Sequence, residues 1–499
     1  MSNSETSFDV VIIGYGPTGA TLANLLVMNG LTVAVLERES EIYHLPRAVH
    51  FDDETMRVFQ TVGIGDALSE KLYVNPGMRF VGQNGKLLMD WPRPQEVGPQ
   101  AWYASYRFHQ PDLETLLRQA LVQREGATIR ANCEVVKLND IGEMVEIECR
   151  DRLTGEVLEF RAGYVVGCDG ARSMVRAAIG GDMEDLGFHE RWLVIDALLK
   201  RERPDLGDHS VQYCNPDRPS TYCRSPGNRR RWELTVLDHE NDEEITQQSR
   251  VWELLSDWIT PEDAELERCA VYTFHSAIAA HWRKGRMMIA GDAAHLTPPF
   301  MGQGMCAGIR DASNLGWKLA LCAHGLADPS LLDSYQEERS PHVREFITTA
   351  IRLGGLINTL DRDSALSNAK QDGPESVRMR SILPVLGASD LAGLGDLDTQ
   401  HKGRLFSQPI LSDGQRMDDL IGYAPVLITR DPVQPGPDAD MLSLNAVDHP
   451  QIRGALDVLG VNAVLLRPDR YILATANTDQ EIIRLAGTAF PSPLVARVT

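Results

Sequence analysis

The sequence predicts an α/β fold: a Rossmann-like parallel sheet, interrupted by an inserted and mostly antiparallel β-sheet domain and followed by a separate C-terminal unit. Three stretches carry that expectation. Asp9-Val-Val-Ile-Ile13 is a β-branched strand that runs straight into Gly14-Tyr-Gly16-Pro-Thr-Gly19 and a helix. Tyr164 to Cys168 is a second apolar strand, ending in Asp169-Gly170, and Met287 to Ala290 is a third, ending in Gly291-Asp292. Each delivers a glycine turn or an acid at the carboxyl end of a strand, where open α/β sheets bind ligands. Because the three lie far apart in the chain, the domain they build is discontinuous.

The chain has 499 residues. At roughly 100–200 residues per domain that length implies about two to four domains. A formal net charge of −21 argues against a nucleic acid or an anionic membrane as partner. No apolar run reaches membrane-spanning length, and Met1 to Phe8 is polar, unlike a signal peptide, so a cytoplasmic protein without a membrane partner is expected. The eight cysteines include no C-x-x-C pair and no histidine at zinc-ligand spacing. They read as buried thiols in a reducing compartment, with no metal and no disulfide.

Taken in order, Gly14 permits the first turn, Gly16 lets backbone approach a pyrophosphate, and Gly19 allows close helix–strand packing. The helix ends at Asn29-Gly30 and a second strand spans Thr32 to Leu36; Glu37, at its end, is placed to accept the ribose hydroxyls of an adenosine, and Arg38 follows it. Asp52-Asp53-Glu54 suits the start of a helix carrying Met56, Val58 and Phe59. His50, just before it, has two readings: a polar group close to cofactor and substrate, or a loop histidine making local hydrogen bonds. Met78 to Trp91 alternates and turns at Gln83-Asn84-Gly85, as a hairpin does. Pro111 suits the first turn of a helix with the buried stripe Leu113, Leu116, Leu117 and Ala120. Strands over Ala131 to Lys137 and Met144 to Cys149 follow.

From about Gly181 to Arg268 the chain reads as strands at Trp192 to Leu199, Ser210 to Cys214, Ser220 to Ser225 and Arg231 to Leu237, the last two joined at Pro226-Gly227-Asn228. One face of this sheet should cover a cofactor ring. Along the hairpin Tyr222 and Arg224 share a face, as do Trp232, Leu234 and Val236 on the partner strand. Arg229-Arg230-Arg231 reads as a solvated turn. Beyond Asp292, Pro298-Pro299 stiffens the crossing, and Gly302, Gly304 and Gly308 open a helix with Ile309, Ala312, Gly316, Leu319, Ala320 and Ala323 at helical spacing. A glycine-lined helix start offers backbone N–H groups to an anion. The first glycine turn already supplies a phosphate site, so this start suits a flavin, whose pyrimidine edge becomes negative on reduction. A helical stretch spans Phe346 to Leu356, the polar run Asp361 to Glu375 reads as a linker, and a third unit begins near Gly403 with Pro425 to Thr429, Ile452 to Leu459 and Ala463 to Leu473.

Gly291-Asp292-Ala293-Ala294-His295 with Pro298 and Gly302-Gln303-Gly304, together with Asp169-Gly170-Ala171-Arg172-Ser173 and the first glycine turn, resembles the motif set of the class A, phenol hydroxylase-like flavoprotein aromatic hydroxylases. The likeness covers nearly the whole chain. It implies FAD held by Gly14, Gly16, Gly19, Glu37, Arg38, Asp169, Gly291, Asp292, Pro298, Gly302, Gln303, Gly304 and Met305, with NADH or NADPH as transient reductant. By the same resemblance Arg47 lies in a mobile loop near the cofactor, and Arg107 and Gln110 touch the FAD. It also implies an FAD domain over 1–74, 109–180 and 269–350, a substrate sheet over 75–108 and 181–268, a helical segment and linker over 351–402, and a thioredoxin-like domain over 403–499. No cysteine follows Cys322, so that last domain is expected to serve packing or homodimerisation rather than redox chemistry.

Leu45-Pro-Arg-Ala-Val-His50 and Gly354-Gly-Leu-Ile-Asn358 resemble most the members that hydroxylate 3-(3-hydroxyphenyl)propionate and hydroxycinnamate. The implied reaction uses O2 and a flavin 4a-hydroperoxide to turn a phenolic acid into a catechol. Another phenol such as resorcinol, or a flavin dehydrogenase or reductase activity, is the alternative. On this reading Arg224, with Tyr222, is the candidate to hold the substrate carboxylate, and His50 to hydrogen-bond the phenol and help remove its proton.

Overall fold

The computed structural model describes residues 7–83, 85–358, 381–389, 391, 400–434 and 441–488. Asn84, expected in a hairpin turn, and the expected linker over 361–375 lie outside them. The first sheet has the order Arg283–Lys284, Met287–Ile289, Val157–Gly167, Ser7–Ile13, Val33–Leu36, Ala127–Arg130. The four middle strands are mutually parallel. At 11 residues Val157–Gly167 is long enough to serve two neighbours: its first half pairs with the antiparallel extension Val145–Asp151 and Cys133–Asp140, its second half with Ser7–Ile13. The Pro17–Met28 helix, buried from Gly19 to Val27, packs against the Gly304–Ala323 helix. The latter is buried along nearly its whole length, charged residues included, because a second layer covers its outer side.

The second sheet runs His295–Leu296, Ala264–Ala279, Met183–Leu199, Arg229–Thr235, Ser220–Arg224, Ser210–Cys214, Gly77–Gly82, Leu87–Pro92. Its pairs are antiparallel except Ser210–Cys214 against Gly77–Gly82. Two expected boundaries need correction. Ala264–Ala279 is one 16-residue strand, bonded to Met183–Leu199 along its length, so the expected break after 268 falls inside it. Asp333–Asn358 is likewise one helix across 350. A third correction concerns Arg229-Arg230-Arg231. These residues open a central strand, and Arg230 and Arg231 are only 7% and 2% exposed: Arg231 is neutralised by Asp196 from a distant strand, while Arg230 donates to the nearby Gly227 and Arg229 carbonyls.

The C-terminal unit is a four-stranded sheet ordered Leu442–Asn445, Val426–Thr429, Ala463–Leu466, Ile472–Ala476, with helices Pro450–Leu459 and Asp479–Ala486. It docks through buried charges. Arg57 pairs with Asp418, which also meets Arg470 at 3.1 Å. Glu338 joins Lys318 (2.8 Å) to Arg467 (2.7 Å). No helix among the described residues is long and apolar enough to cross a membrane, and no cluster of three or more His, Cys, Asp or Glu residues there could hold a metal.

Candidate active site

Strand register brings the separated motifs to one level. Ile13 pairs with Gly167 and with Leu36, and Gly167 pairs with Ile289, so Gly14, Cys168-Asp169, Ala290-Gly291 and Glu37 leave neighbouring parallel strands side by side. Glu37 accepts the N–H of Tyr15 (2.7 Å) and of Glu39 (2.9 Å), which fixes its carboxylate against the glycine turn. Arg38 is exposed and pairs with Glu39 instead. Asp169 caps the Met174–Ile179 helix through the Met174 N–H (2.8 Å), and its second oxygen is buried without a partner. The helices starting after Gly16 and Gln303 have no side-chain cap, leaving first-turn N–H groups for a ligand. A Cβ on Gly308 would meet Thr18 and Gly291, so these two helix starts lie beside each other. A flavin dinucleotide fits this cradle: uncapped donors for its anionic groups, an orphaned acid oxygen, and open space in front of Gly16.

Asp311 pins the Gly291 turn, accepting from the Gly291 N–H (3.0 Å), His295 Nε2 (2.6 Å) and Arg339 (2.9 Å). Asp292 is open to solvent on one side and hemmed in on the others. Burial raises its carboxyl above the usual range, while nearby His295 and Arg47 pull it back. Pro298 is buried and Met305 half-buried at the same helix start. Gln303 is fixed by Arg310, which donates to its side-chain oxygen (3.0 Å), to Asp52 (2.5 Å) and to Glu54 (2.5 Å). Gln110, expected to touch the FAD, commits its amide elsewhere: its oxygen accepts the N–H of Arg47 (3.0 Å) and Ala48 (2.7 Å), and its nitrogen donates to Glu114 (2.8 Å). It therefore holds the loop carrying Arg47. From the other side Arg231 donates to the Arg47 carbonyl (2.8 Å) and Arg268 to the Pro46 carbonyl (2.7 Å), both arginines sharing Asp196.

Next to Gly302 lies a cavity with about 610 Å3 free of protein atoms, part of it open to solvent. His50, Arg93, Arg107, Ser210, Gln212, Thr221, Cys223 and Glu233 give it polar groups, and Met78, Trp91, Phe300 and Met301 its apolar walls. Tyr222 and Arg224 do not line it, which corrects their expected role. Successive strand residues face opposite sides, and here Thr221 and Cys223 take the cavity side. Tyr222 packs on Trp232 (5.3 Å between ring centroids) in the core behind the sheet, and Arg224 pairs with Asp208 over the ring of Tyr73. The sequence signal was one residue away: Thr221, Cys223, Glu233 and Gln212 form a polar face opposite an apolar one. Arg93 had no local signal, since the Leu87–Pro92 strand alone brings it in.

His50 lines the cavity, 5% exposed. Its Nε2 is 2.7 Å from Ser105 Oγ and its Nδ1 3.4 Å from the Gly302 carbonyl. Burial, then the Arg107 and Arg93 charges, push its pKa down to about 3. With Asn75 donating to Ser105 (2.8 Å), the serine hydroxyl is left to donate to Nε2, and neutral His50 donates from Nδ1 toward Gly302. Burial and Arg107 likewise bring Arg93 down to about 10. Arg107 donates to Ser210, and among the described residues neither Arg93 nor Arg107 has a carboxylate within ion-pair distance.

Comparison with known proteins adds the following. The family described as FAD binding domain matches residues 7–350. The chain is 40% identical over 401 residues to a probable NADH-specific resorcinol 4-hydroxylase of Rhodococcus jostii (strain RHA1), covering 79% of this chain and 74% of that one. It is 36% identical over 438 residues to a 3-(3-hydroxy-phenyl)propionate/3-hydroxycinnamic acid hydroxylase of Burkholderia cenocepacia (strain HI2424), covering 84% and 79%. Among solved structures, the flavin-dependent monooxygenase PieE, in complex with FAD and substrate, superposes with a TM-score of 0.78 at 21% identity, covering 97% and 98%. OxyS anhydrotetracycline hydroxylase from Streptomyces rimosus gives 0.75 at 26% identity, covering 97% and 100%.

Proposed function

The chain belongs to the FAD binding domain family, as a single-component FAD-dependent aromatic hydroxylase, and from that premise we propose that its substrate is a phenol carrying a carboxylate side chain, converted to a catechol. Arg93 and Arg107 carry this reading. Both guanidiniums line the cavity, each lowers the pKa of His50, and neither has a carboxylate within ion-pair distance among the described residues. An aromatic acid supplies that charge, and a guanidinium matches a carboxylate through paired N–H groups. Resorcinol, named for the 40%-identical relative, is neutral and would leave the cation pair unrelieved.

Bound FAD supplies reducing equivalents, received from NADH or NADPH, and activates oxygen for insertion. The chain's own residues do the rest. Gly14, Gly16, Gly19, Glu37, Asp169, Gly291 and Asp292 hold the dinucleotide, and Gln303 and the N–H groups after it meet the ring. Phe300, Met301 and Trp91 exclude water beside it. The inserted sheet positions the phenol. NADH is the favoured reductant on the same relative's name.

The test is NADH and NADPH consumption with 3-(3-hydroxyphenyl)propionate, 3-propylphenol and resorcinol under labelled oxygen, with product mass read for each. Arg93→Met should raise KM for the acid by about tenfold or more and leave that for 3-propylphenol nearly unchanged, as loss of one charge-assisted contact requires. Preference for resorcinol, or equal KM effects on acid and neutral phenol, would overturn the proposal.

A further inference from the structure

We infer that Glu233 is the catalytic group that accepts the phenol's hydrogen bond in the cavity and takes up its proton as the ring is oxygenated. The inference rests on the phenol hydroxylation proposed above and extends it to a residue on the inserted sheet. Glu233 stands in the middle of the Arg229–Thr235 strand, paired across to Thr221 on one side and Val194 on the other, and it lines the cavity with Thr221 and Cys223. Its side chain is 13% exposed, and its oxygens make no hydrogen bond with a described residue. The nearest cation, Arg231, is 3.8 Å away and already bound to Asp196 (2.7 Å) and the Arg47 carbonyl.

The other polar lining groups are unsuited to the task. Arg93 and Arg107 are cations. His50 is neutral with both ring nitrogens engaged, and its low pKa makes it a weak base. Cys223 is a thiol held protonated by burial. Gln212 accepts from Thr221 (2.6 Å) and donates to the Ser220 carbonyl (3.0 Å). A carboxylate with no hydrogen-bond partner among the described residues, facing the substrate space, is the acceptor that remains. Burial raises Glu233 above the usual carboxyl range. The groups facing it are Arg231 on its own strand, Asp196, Arg268 and Arg107 on three others, and Cys223 on a fourth; the three cations pull it down and Asp196 pushes it up. A raised pKa makes the carboxylate a stronger base, closer to the phenol it must deprotonate.

The step balances with the oxygen donor that the hydroxylation already requires. The phenolic O–H bond breaks, its electron pair stays on oxygen and forms the carbonyl π bond, and the ortho carbon's electrons form the new C–O bond as the donor's O–O bond breaks. The proton rests on Glu233. When the ring carbon loses its own proton, which neutralises the oxygen left on the donor by O–O cleavage, aromaticity returns and Glu233 gives its proton back to the phenolic oxygen.

The experiment uses the full-length, FAD-loaded enzyme and its Glu233→Gln and Glu233→Asp variants. With 3-(3-hydroxyphenyl)propionate, Glu233→Gln should lower kcat by about 10²–10⁴-fold, the usual contribution of a positioned base, and divert reducing equivalents to peroxide while KM stays within about threefold. Wild-type kcat should fall on an acidic pH limb, Glu233→Gln should lose that limb, and Glu233→Asp should retain a shifted one. Binding of 3-(3-hydroxy-4-nitrophenyl)propionate gives a readout independent of turnover: its absorbance reports whether the bound phenol is ionised, and that titration should move between wild type and Glu233→Gln. Unchanged kcat, tight coupling and the same bound-phenol titration in Glu233→Gln would remove Glu233 from the reaction. Should the Gln variant fail to fold, an Asp variant with a wild-type titration and pH limb would overturn the proposal equally. If wild type instead prefers neutral 3-propylphenol with the same Glu233 dependence, the aromatic-acid reading fails and Glu233 stands.

Discussion

Gly16 and Gly19 stand one helical turn apart with opposite surroundings. A Cβ at Gly19 would collide with the Gly14 carbonyl, whereas one at Gly16 meets nothing within 4 Å. Gly19 is therefore required by packing and Gly16 by whatever approaches from outside. Gly16→Val is expected to yield a folded protein that purifies without FAD; a folded variant with stoichiometric flavin by absorbance would refute the placement. His50 gives a second expectation. Its folded pKa of about 3 lies below the ordinary imidazole value of 6.5. Between those values the unfolded chain binds a proton that the folded chain refuses, so stability rises with pH across that window and is lost on acidification, by roughly 1.4 kcal/mol per pH unit. His50→Gln should flatten that limb in urea titrations between about pH 6.5 and pH 3; an identical slope in wild type and variant would mean His50 is charged in the folded state.

At the scale of elements, the glycine turns were legible in the sequence because their requirement is local: a turn residue after a strand has few alternatives to glycine. The face of the Ser220–Arg224 strand was not legible. Alternation has a period of two, and assigning Tyr222 rather than Thr221 to the cavity reverses every side chain. Arg231 misled for another reason. A run of like charges is usually solvated, but here Asp196 and the Pro46 and Arg47 carbonyls come from two other parts of the chain. The resulting buried cluster, two arginines on one aspartate, joins the substrate sheet to the Arg47 loop. Asp196→Asn removes the close carboxylate partner of both cations and should lower stability by about 3–5 kcal/mol. Glu184→Gln, at the exposed pair with Arg344, should change it by about 0–1 kcal/mol. Chemical denaturation of the two variants decides it, and comparable effects would mean the Asp196 cluster is hydrated.

At the scale of the molecule, the C-terminal unit is bound to the cofactor side by more than packing. Tyr471 donates to Glu54 (2.6 Å), Glu54 accepts from Arg310 (2.5 Å), and Arg310 holds Gln303 at the helix start beside the cavity. A hydrogen-bonded chain thus leads from a unit without cysteines to the flavin's proposed seat. Calorimetry should show one unfolding transition for the described units, moved to higher temperature by added FAD as linkage requires. Two transitions, with FAD shifting only one, would mean the C-terminal unit is an independent appendage.

The discontinuity of the first sheet also bears on how the protein is made. Val157–Gly167 lies inside the finished sheet, flanked by Ser7–Ile13 and Met287–Ile289. On the ribosome its second flank does not yet exist, and ~120 further residues, at ~5–20 residues per second, keep that edge bare for ~6–24 s. Five strands of the substrate sheet, from Met183–Leu199 to Ala264–Ala279, are synthesised during that wait and can join the earlier Gly77–Gly82 and Leu87–Pro92, so the insert can assemble as a shield before the edge is closed. The strand that ends the wait also carries Gly291 and Asp292 behind it. Completion of the sheet and completion of the flavin seat are one event in biosynthesis, and a nascent chain stalled before it has neither.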